Sequence, residues 1–239
     1  MTARTFVMVS GAWHGAWCWN RLVPLLEARG HRVHTPELPG TGSSHADPAT
    51  ASLDGWARFI AELVSAQPAP VVLVGHSRGG AVISRAAQMA PWNLRMLVYL
   101  AAYLLPAGAN VAAAARDDDG SLVPENMVAA GSGVTCTLRP DIIREAFYGD
   151  CDDQAFEFAR TRLTPEPLKP LVSNVKTSAE VFGKVPRTYI ECTRDRTISL
   201  TAQRRMQAAL PCDPVFTLES DHSPFLSHPD ELATLLARL

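Results

Sequence analysis

The length and composition of the chain fit one globular domain and exclude several classes of partner. The chain has 239 residues, 47% hydrophobic and 19% charged, so it can bury a large core, whereas two full domains would be cramped. A net charge of −2 gives no basic excess, so neither nucleic acid nor an anionic membrane is an expected partner.

The cysteines and the N-terminal segment bear on compartment and cofactors. Five cysteines are scattered without a Cys-x-x-Cys pair, so the sequence predicts neither a disulfide framework nor a zinc site, and we expect no metal or cofactor. The opening segment "MTARTFVMVSGAW" holds one basic residue and an apolar run too short for a signal peptide or a membrane span. We therefore expect a cytoplasmic protein.

Short apolar runs alternate with longer segments of helical period along the chain, which is typical of β-α units. The predicted strands are residues 5–10, 31–36, 70–76, 95–101, 187–192 and 214–219. The predicted helices are residues 19–30, 52–66, 79–90, 199–210 and 229–239. This order predicts an α/β fold with a mostly parallel central sheet flanked by helices, and ligand sites at the carboxyl ends of its strands.

The alternation breaks between residues 106 and 184. The segment "LPAGANVAAAARDDDGSLVPEN" is loop-like, whereas "RPDIIREAFYG" and "DDQAFEFARTRL" have helical patterns. We interpret this region as an inserted helical cap within a single domain spanning residues 1–239. The cap would roof a substrate pocket, with Phe147 and Tyr148 available to line it. Packing within the helical segment is the alternative role for these two residues.

The segment "VVLVGHSRGGA" at residues 71–81 runs from an apolar strand into a glycine-rich turn. Within it, Gly75-His76-Ser77-Arg78-Gly79 matches the Gly-x-Ser-x-Gly pattern, with a strand before it and a helix directly after it. This context is typical of a nucleophile elbow, in which the serine hydroxyl projects above the sheet. Ser77 is thus predicted to be a nucleophile, with an ordinary structural turn as the alternative.

A serine nucleophile needs a neighbouring base, which in turn needs an orienting carboxylate. In this kind of fold the acid and then the histidine follow the serine along the chain. Asp195 lies just beyond the strand predicted at 187–192, and His222 lies just beyond the strand predicted at 214–219. Of the seven histidines, only His222 has this late position after a strand. Asp221 is adjacent to His222 and cannot easily reach round to its ring, so Asp195 is the predicted acid.

The tetrahedral intermediate of ester hydrolysis carries a negative oxygen, which needs preorganised N–H donors. Arg78, directly after the nucleophile, is expected to supply one backbone N–H, and its side chain is expected to be solvated without a catalytic role. The loop "VSGAWHGAW" at residues 9–17 follows the first strand, and Ala12 in it is the candidate second donor. An ordinary glycine-containing turn is the alternative for this loop. Trp13, next to Ala12, is expected to line the pocket.

Together these motifs resemble the α/β-hydrolase superfamily, and within it the branch of plant methylesterases, methyl salicylate esterases and hydroxynitrile lyases, with bacterial relatives. The resemblance spans nearly the whole chain, in "FVMVSGAWHGAWCWNRLVPLLEARGHRV", "VVLVGHSRGGA", "LVYLAAYLLP", "VPRTYIECTRDRTIS" and "SDHSPFLSHPDEL". It implies the α/β-hydrolase fold and the same triad and oxyanion donors that the residues predict. It also places Tyr103 at a pocket aromatic position and Phe225 near an apolar pocket position.

Two positions depart from that branch. Most members have His-Gly where this chain has Ser10-Gly11, so the hydrogen bonding of this loop stays open. The lyases need a lysine directly after the triad histidine and a threonine in the oxyanion loop, where this chain has Ser223 and Gly11. Without a cation to stabilise departing cyanide, ester hydrolysis is favoured over cyanohydrin cleavage.

The sequence therefore predicts a cofactor-independent serine carboxylesterase. Its expected substrate is a small ester with an apolar or aromatic acyl portion, hydrolysed through an acyl-enzyme on Ser77. One alternative is a hydroxynitrile lyase-like C–C lyase that uses the same triad without an acyl intermediate. Another is a slow hydrolase that serves as a small-molecule receptor. A homodimer and the identity of the ester stay open.

Overall fold

The centre of the protein is a six-stranded sheet in which every neighbouring pair of strands is parallel. A computed structural model describes residues 3–239. The strands in chain order are β1 (Thr5–Val9), β2 (Arg32–His34), β3 (Val71–Ser77), β4 (Leu94–Ala102), β5 (Met127–Ala130), β6 (Thr135–Leu138), β7 (Glu166–Pro167), β8 (Arg187–Cys192) and β9 (Val215–Leu218). The main sheet has the order β2-β1-β3-β4-β8-β9, and β5-β6-β7 form a separate small sheet.

The helices cover the main sheet and supply much of the inserted segment. In chain order they are α1 (Val23–Glu27), α2 (Leu53–Ser65), α3 (Gly79–Met89), α4 (Val111–Arg116), α5 (Ile143–Phe147), α6 (Asp153–Arg160), α7 (Leu168–Val172), α8 (Leu200–Ala209), α9 (Pro224–Ser227) and α10 (Pro229–Ala237). Helix α2 shows why such segments are helical. The Ser52 hydroxyl caps it by accepting a hydrogen bond from the N–H of Gly55 at 3.1 Å, and Trp56 and Ile60, one turn apart, are buried on its inner face.

Strand β3 is buried at every position, as an apolar strand in the middle of a covered parallel sheet must be. It pairs with β1 on one side and β4 on the other. The predicted α/β-hydrolase architecture, a parallel sheet flanked by helices, is confirmed by this topology. Because the strands are parallel, their carboxyl ends meet at one edge of the sheet, where the site lies.

The inserted segment between residues 106 and 184 is only partly helical. It contains α4, α5, α6 and α7, but also the three-stranded antiparallel sheet β5-β6-β7. Strands β5 and β6 are joined through Gly131, Ser132 and Gly133, all with positive φ. Four-residue strands are too short to show a clear period in the sequence, so this sheet was not predicted.

The helix predicted at residues 19–30 is also shorter than expected. A 3₁₀ turn at Ala16–Trp19 precedes a separate α1 at Val23–Glu27. Pro24 lies in the first turn of α1, where its missing N–H costs nothing, so it marks a helix start rather than an interior position. Gly30, with φ of 83°, lies beyond the end of the helix.

The five cysteines are free thiols, four of them buried and Cys212 partly exposed. No group of three or more His, Cys, Asp or Glu side chains within residues 3–239 is arranged to hold a metal ion. Over the same range, no helix combines the length and hydrophobicity needed to cross a bilayer.

Candidate active site

Four chain segments that are distant in sequence meet at the carboxyl edge of the main sheet. Ser77 is the last residue of β3, and Ala12 follows β1 after a short loop. Asp195 follows β8, and His222 follows β9. The edge predicted for ligand binding therefore brings together the residues that the sequence singled out.

Ser77 lies on a strained turn between β3 and α3. Its φ is +53°, in the left-handed region that a residue with a side chain seldom adopts. The turn also requires small neighbours. A Cβ on Gly75 would lie 2.7 Å from the carbonyl oxygen of Gly79, and one on Gly80 would lie 2.5 Å from that of Tyr103. These close approaches give the geometry of a nucleophile elbow.

His222 and Asp195 form a buried pair. Nδ1 of His222 lies 2.7 Å from Oδ2 of Asp195, and both side chains are almost completely buried. The other carboxylate oxygen, Oδ1, accepts hydrogen bonds from the N–H groups of Thr197 at 2.7 Å and Ile198 at 2.9 Å. The loop after β8 thus fixes the carboxylate of Asp195, and this carboxylate fixes the imidazole of His222 through Nδ1. The other ring nitrogen, Nε2, stays available for a different hydrogen-bond partner.

His76 connects the turn at Ser77 to residues 219–223, the loop between β9 and α9 that carries His222 and is called the histidine loop below. Nε2–H of His76 donates to the backbone carbonyl of His222 at 2.9 Å, and the two imidazole rings lie 4.5 Å apart. Within residues 3–239, neither Oγ of Ser77 nor Nε2 of His222 makes a hydrogen bond to protein. The Asp195–His222 contact is therefore present, whereas Ser77 and His222 are not hydrogen-bonded to each other. Catalytic hydrogen bonds of this kind commonly tighten only when substrate binds.

A cavity of about 230 Å³ opens above Ser77. It is lined by Ala12, Trp13, Ser77, Arg78, Tyr103, Val111, Ala112, Ala115, Arg116, Val123, Pro124, Met127, Leu168, Leu171, Val172 and Thr197. The floor of the cavity is formed at the carboxyl edge of the main sheet, and most of its roof comes from the inserted segment. In the described part of the chain, the backbone N–H groups of Ala12 and Arg78 donate to no protein acceptor, so both are available to a ligand oxygen.

Comparisons with known proteins agree with this architecture. Residues 6–235 match the Alpha/beta hydrolase family. The chain belongs to this family. It is 30% identical to Methylesterase 18 of Arabidopsis thaliana, with 99% of this chain and 97% of that protein covered. It is also 30% identical to a pyrethroid hydrolase of Sphingobium wenxiniae, with 99% of this chain and 88% of that protein covered.

Solved structures lead to the same branch of the family. The crystal structure of a methylesterase from Arabidopsis has a TM-score of 0.86 at 29% identity, with 98% of both chains covered. That of a pyrethroid hydrolase from Sphingobium faniae has a TM-score of 0.87 at 28% identity, with 99% of this chain and 97% of that one covered. The resemblance stated from the sequence motifs is confirmed: this alpha/beta hydrolase lies on the methylesterase and pyrethroid hydrolase branch.

The four predicted pocket residues of this hydrolase fall into two groups. Trp13 and Tyr103 line the cavity. Tyr148 and Phe225 do not line it, and both are completely buried. The Tyr148 hydroxyl lies 2.6 Å from Nε2 of His14, and the Phe225 ring packs against the ring of Trp19 at 4.9 Å. In this structure their contacts are thus with protein.

His14 contacts the backbone of Ala12, which the sequence did not indicate. Its Nδ1 lies 2.7 Å from the carbonyl oxygen of Ala12, which only accepts, so Nδ1 carries the proton. Nε2 then accepts the hydrogen bond from Tyr148. Burial lowers the pKa of His14 to about 3, so the ring stays neutral and keeps this tautomer. Nothing in the segment "AWHGAW" distinguishes His14 from an ordinary loop histidine.

The expectation that the Arg78 side chain is solvated is wrong. The side chain is only 2% exposed, and its Nε lies 2.9 Å from Oε1 of Glu166, close as an ion pair although not aligned as a hydrogen bond. Its Nη2 donates to the carbonyl oxygen of Gly11 at 2.9 Å. The guanidinium also lies over the ring of Trp56 at 4.5 Å. Sequence reasoning missed Glu166, because no local pattern links two residues 88 positions apart.

Asp221, the rejected candidate for the orienting acid, has other partners. Its carboxylate accepts hydrogen bonds from the backbone N–H groups of Asp150 and Ser223 and from the hydroxyl of Ser227. Burial raises its pKa. Its role is to hold the histidine loop against the inserted segment, which leaves Asp195 as the acid that contacts the imidazole.

Proposed function

We propose that this protein is a serine carboxylesterase that hydrolyses small esters through an acyl-enzyme on Ser77. The observation that carries the proposal is the buried Asp195–His222 pair at 2.7 Å, which lies at the same carboxyl edge of the sheet as Ser77 on its strained turn. An imidazole fixed by a carboxylate is the arrangement that activates a serine hydroxyl. Family membership supports the same chemistry, as do relatives that carry the names methylesterase and pyrethroid hydrolase.

The proposed mechanism assigns each of these groups one step. Ser77 Oγ attacks the ester carbonyl while Nε2 of His222 takes its proton, and Asp195 stabilises the imidazolium that forms. The backbone N–H groups of Ala12 and Arg78 hold the developing oxyanion. The imidazolium then gives its proton to the departing alcohol. Water, activated by the same imidazole, attacks the acyl-enzyme and releases the acid.

The cavity supports a small, apolar acyl or alkoxy group as the recognised part of the substrate. A cavity of about 150 Å³ lined by apolar side chains holds one benzene molecule, and here the cavity has about 230 Å³. One aromatic ring with a few further atoms fits this space. The Trp13 indole and the Tyr103 ring supply apolar faces to it.

A panel of methyl esters with growing acyl groups tests the proposal. We expect turnover of methyl butyrate and methyl benzoate, weaker turnover of methyl naphthoate, and labelling of Ser77 by a fluorophosphonate. Ser77→Ala should lower kcat by on the order of 10⁶-fold and abolish labelling. Ester turnover retained in that variant would contradict the proposal. Cleavage of mandelonitrile without an acyl adduct would instead favour a lyase, and tight binding of an acid or lactone without turnover would favour a receptor.

A further inference from the structure

We infer that the buried Arg78–Glu166 ion pair positions the loop of residues 9–17, which carries the proposed oxyanion donor Ala12 and is called the oxyanion loop below. Both side chains then raise kcat without contacting substrate. This inference rests on the function proposed above. The Arg78 side chain is 2% exposed and the Glu166 side chain 1%, and the two belong to different parts of the fold. Arg78 directly follows the nucleophile, and Glu166 lies in strand β7 of the inserted segment.

The first contact fixes the peptide that carries the proposed oxyanion donor. The carbonyl of Gly11 and the N–H of Ala12 belong to one planar trans peptide, so they point in opposite directions. Nη2 of Arg78 donates to that carbonyl at 2.9 Å. Holding the carbonyl therefore sets the direction of the Ala12 N–H. Because the donor is charged, the contact also polarises the peptide and makes the N–H a stronger donor.

The next peptide is held at both ends. The N–H of Trp13 donates to Oε2 of Glu166 at 3.1 Å, and the carbonyl of Ala12 accepts from His14 at 2.7 Å. Trp13 has a φ of +63°, a conformation that a tryptophan keeps only when its surroundings enforce it. Arg78 and Glu166 thus contact the peptides on both sides of Ala12, and each also contacts the other.

Stability alone is a poor explanation for this pair. Removing two charges from water is costly, and well-packed apolar side chains of similar volume commonly serve stability as well or better. The cost is visible here, since burial raises the pKa of Glu166 and lowers that of Arg78. Apart from the contact of the guanidinium with the Trp56 ring, the pair's contacts beyond itself are to Gly11 and Trp13, on either side of the proposed oxyanion donor. Its effect on that loop therefore explains the pair better than stability does.

The variant R78M/E166Q separates positioning from folding. The glutamine carbonyl can still accept from Trp13 N–H, and no isolated charge stays buried. The guanidinium contact to Gly11 is lost, together with the guanidinium contact to the Trp56 ring, which an apolar methionine can still pack against. R78K is the conservative second variant, because a lysine keeps the charge but lacks the planar fork that reaches Gly11 and Glu166 together. E191Q/R204M is the matched control, since it removes a second ion pair, 2.8 Å long, that has no contact with residues 9–17.

The measurements are thermal unfolding, kcat and KM for methyl benzoate per fluorophosphonate-titrated site, and inhibition by trifluoroacetophenone and acetophenone. Trifluoroacetophenone forms a bond from its carbonyl carbon to Ser77 Oγ, the proton passes to His222, and the carbonyl electron pair becomes an oxyanion. Acetophenone has the same shape without that addition. It therefore reports ground-state binding alone.

For R78M/E166Q we expect kcat to fall by roughly 10- to 100-fold and trifluoroacetophenone affinity to fall by a similar factor, while KM and acetophenone affinity change less than about 3-fold. R78K should lie between this variant and wild type, and E191Q/R204M should keep wild-type kcat. Wild-type kcat and trifluoroacetophenone affinity in folded R78M/E166Q, or in R78K, would overturn the inference. A wild-type protein that turns over no ester and is not labelled at Ser77 would overturn the proposed function and this inference with it.

Discussion

The buried imidazole of His14 predicts a specific loss of stability in acid. Its pKa is about 3 in the folded protein and near 6.5 when the chain is unfolded. Above pH 6.5 both states are neutral, and as the pH falls from 6.5 toward 3 only the unfolded state takes up the proton, so stability declines. At pH 5 this difference costs about 2 kcal/mol of unfolding free energy.

The substitution H14N isolates this contribution. Burial lowers the pKa of His76 as it does that of His14, so His76 also destabilises the folded protein in acid. The raised pKa values of Glu166 and Asp221 have the opposite effect on stability. The pH dependence of wild-type stability is therefore the sum of several contributions. An asparagine amide can still donate to the carbonyl of Ala12 but does not titrate. The difference between wild type and H14N isolates the contribution of His14.

Urea unfolding at pH 7 and pH 5 measures the effect. Wild type should lose about 2 kcal/mol more than H14N between the two pH values. His45, whose side chain is solvent-exposed, supplies the matched control H45N, which should lose as much as wild type. An equal loss in wild type and H14N would show that His14 titrates normally in the folded state, which would refute the burial argument.

Three further substitutions probe the relay and its supports. Asp195→Asn should lower kcat by on the order of 10⁴-fold without unfolding the protein, because the amide oxygen can accept the same backbone N–H groups but favours the wrong imidazole tautomer. Tyr148→Phe leaves Nε2 of His14 without a donor and should cost about 1–3 kcal/mol in urea unfolding. Gly11→Ala puts a Cβ 2.8 Å from that of Ser77 and should lower kcat by on the order of 10²-fold.

Each of these expectations has a contradicting result. Circular dichroism of Asp195→Asn should be that of wild type, and a kcat within tenfold of wild type would argue against Asp195 as the orienting acid. An unfolding free energy unchanged in Tyr148→Phe would show that the hydroxyl contact is dispensable. Gly149→Ala is the control for Gly11→Ala, because its Cβ would meet nothing closer than 4.0 Å, and equal activity of both variants would refute the steric argument.

The parts of the fold with strong local signals were predictable from the sequence. The run Val71–Ser77 is continuously apolar up to its glycine, and a buried parallel strand requires that pattern. The residues after β8 and β9 were also predictable, because parallel strands bring their carboxyl ends to one edge. Asp195 and His222 were singled out in this way, through topology rather than through any local motif, and the structure places their side chains 2.7 Å apart.

What the sequence could not predict depends on contacts between distant segments. The strands β5 and β6 are too short for a visible period, so the inserted segment was expected to be helical only. Arg78 was expected to be solvated because an arginine after a turn usually is. Only the folded chain brings Glu166 to it. The contact of Tyr148 also depends on a distant segment, because its hydroxyl donates to Nε2 of His14 in the loop after β1.

The most direct test of the central claim is to trap the acyl-enzyme. The protein is mixed with p-nitrophenyl acetate and quenched in acid within the first turnover, and intact-mass and peptide mass spectrometry locate any added acetyl group. The account predicts one acetyl group on Ser77 in wild type and none in Ser77→Ala. Steady ester turnover with no covalent adduct, or with the acetyl group on another residue, would contradict it.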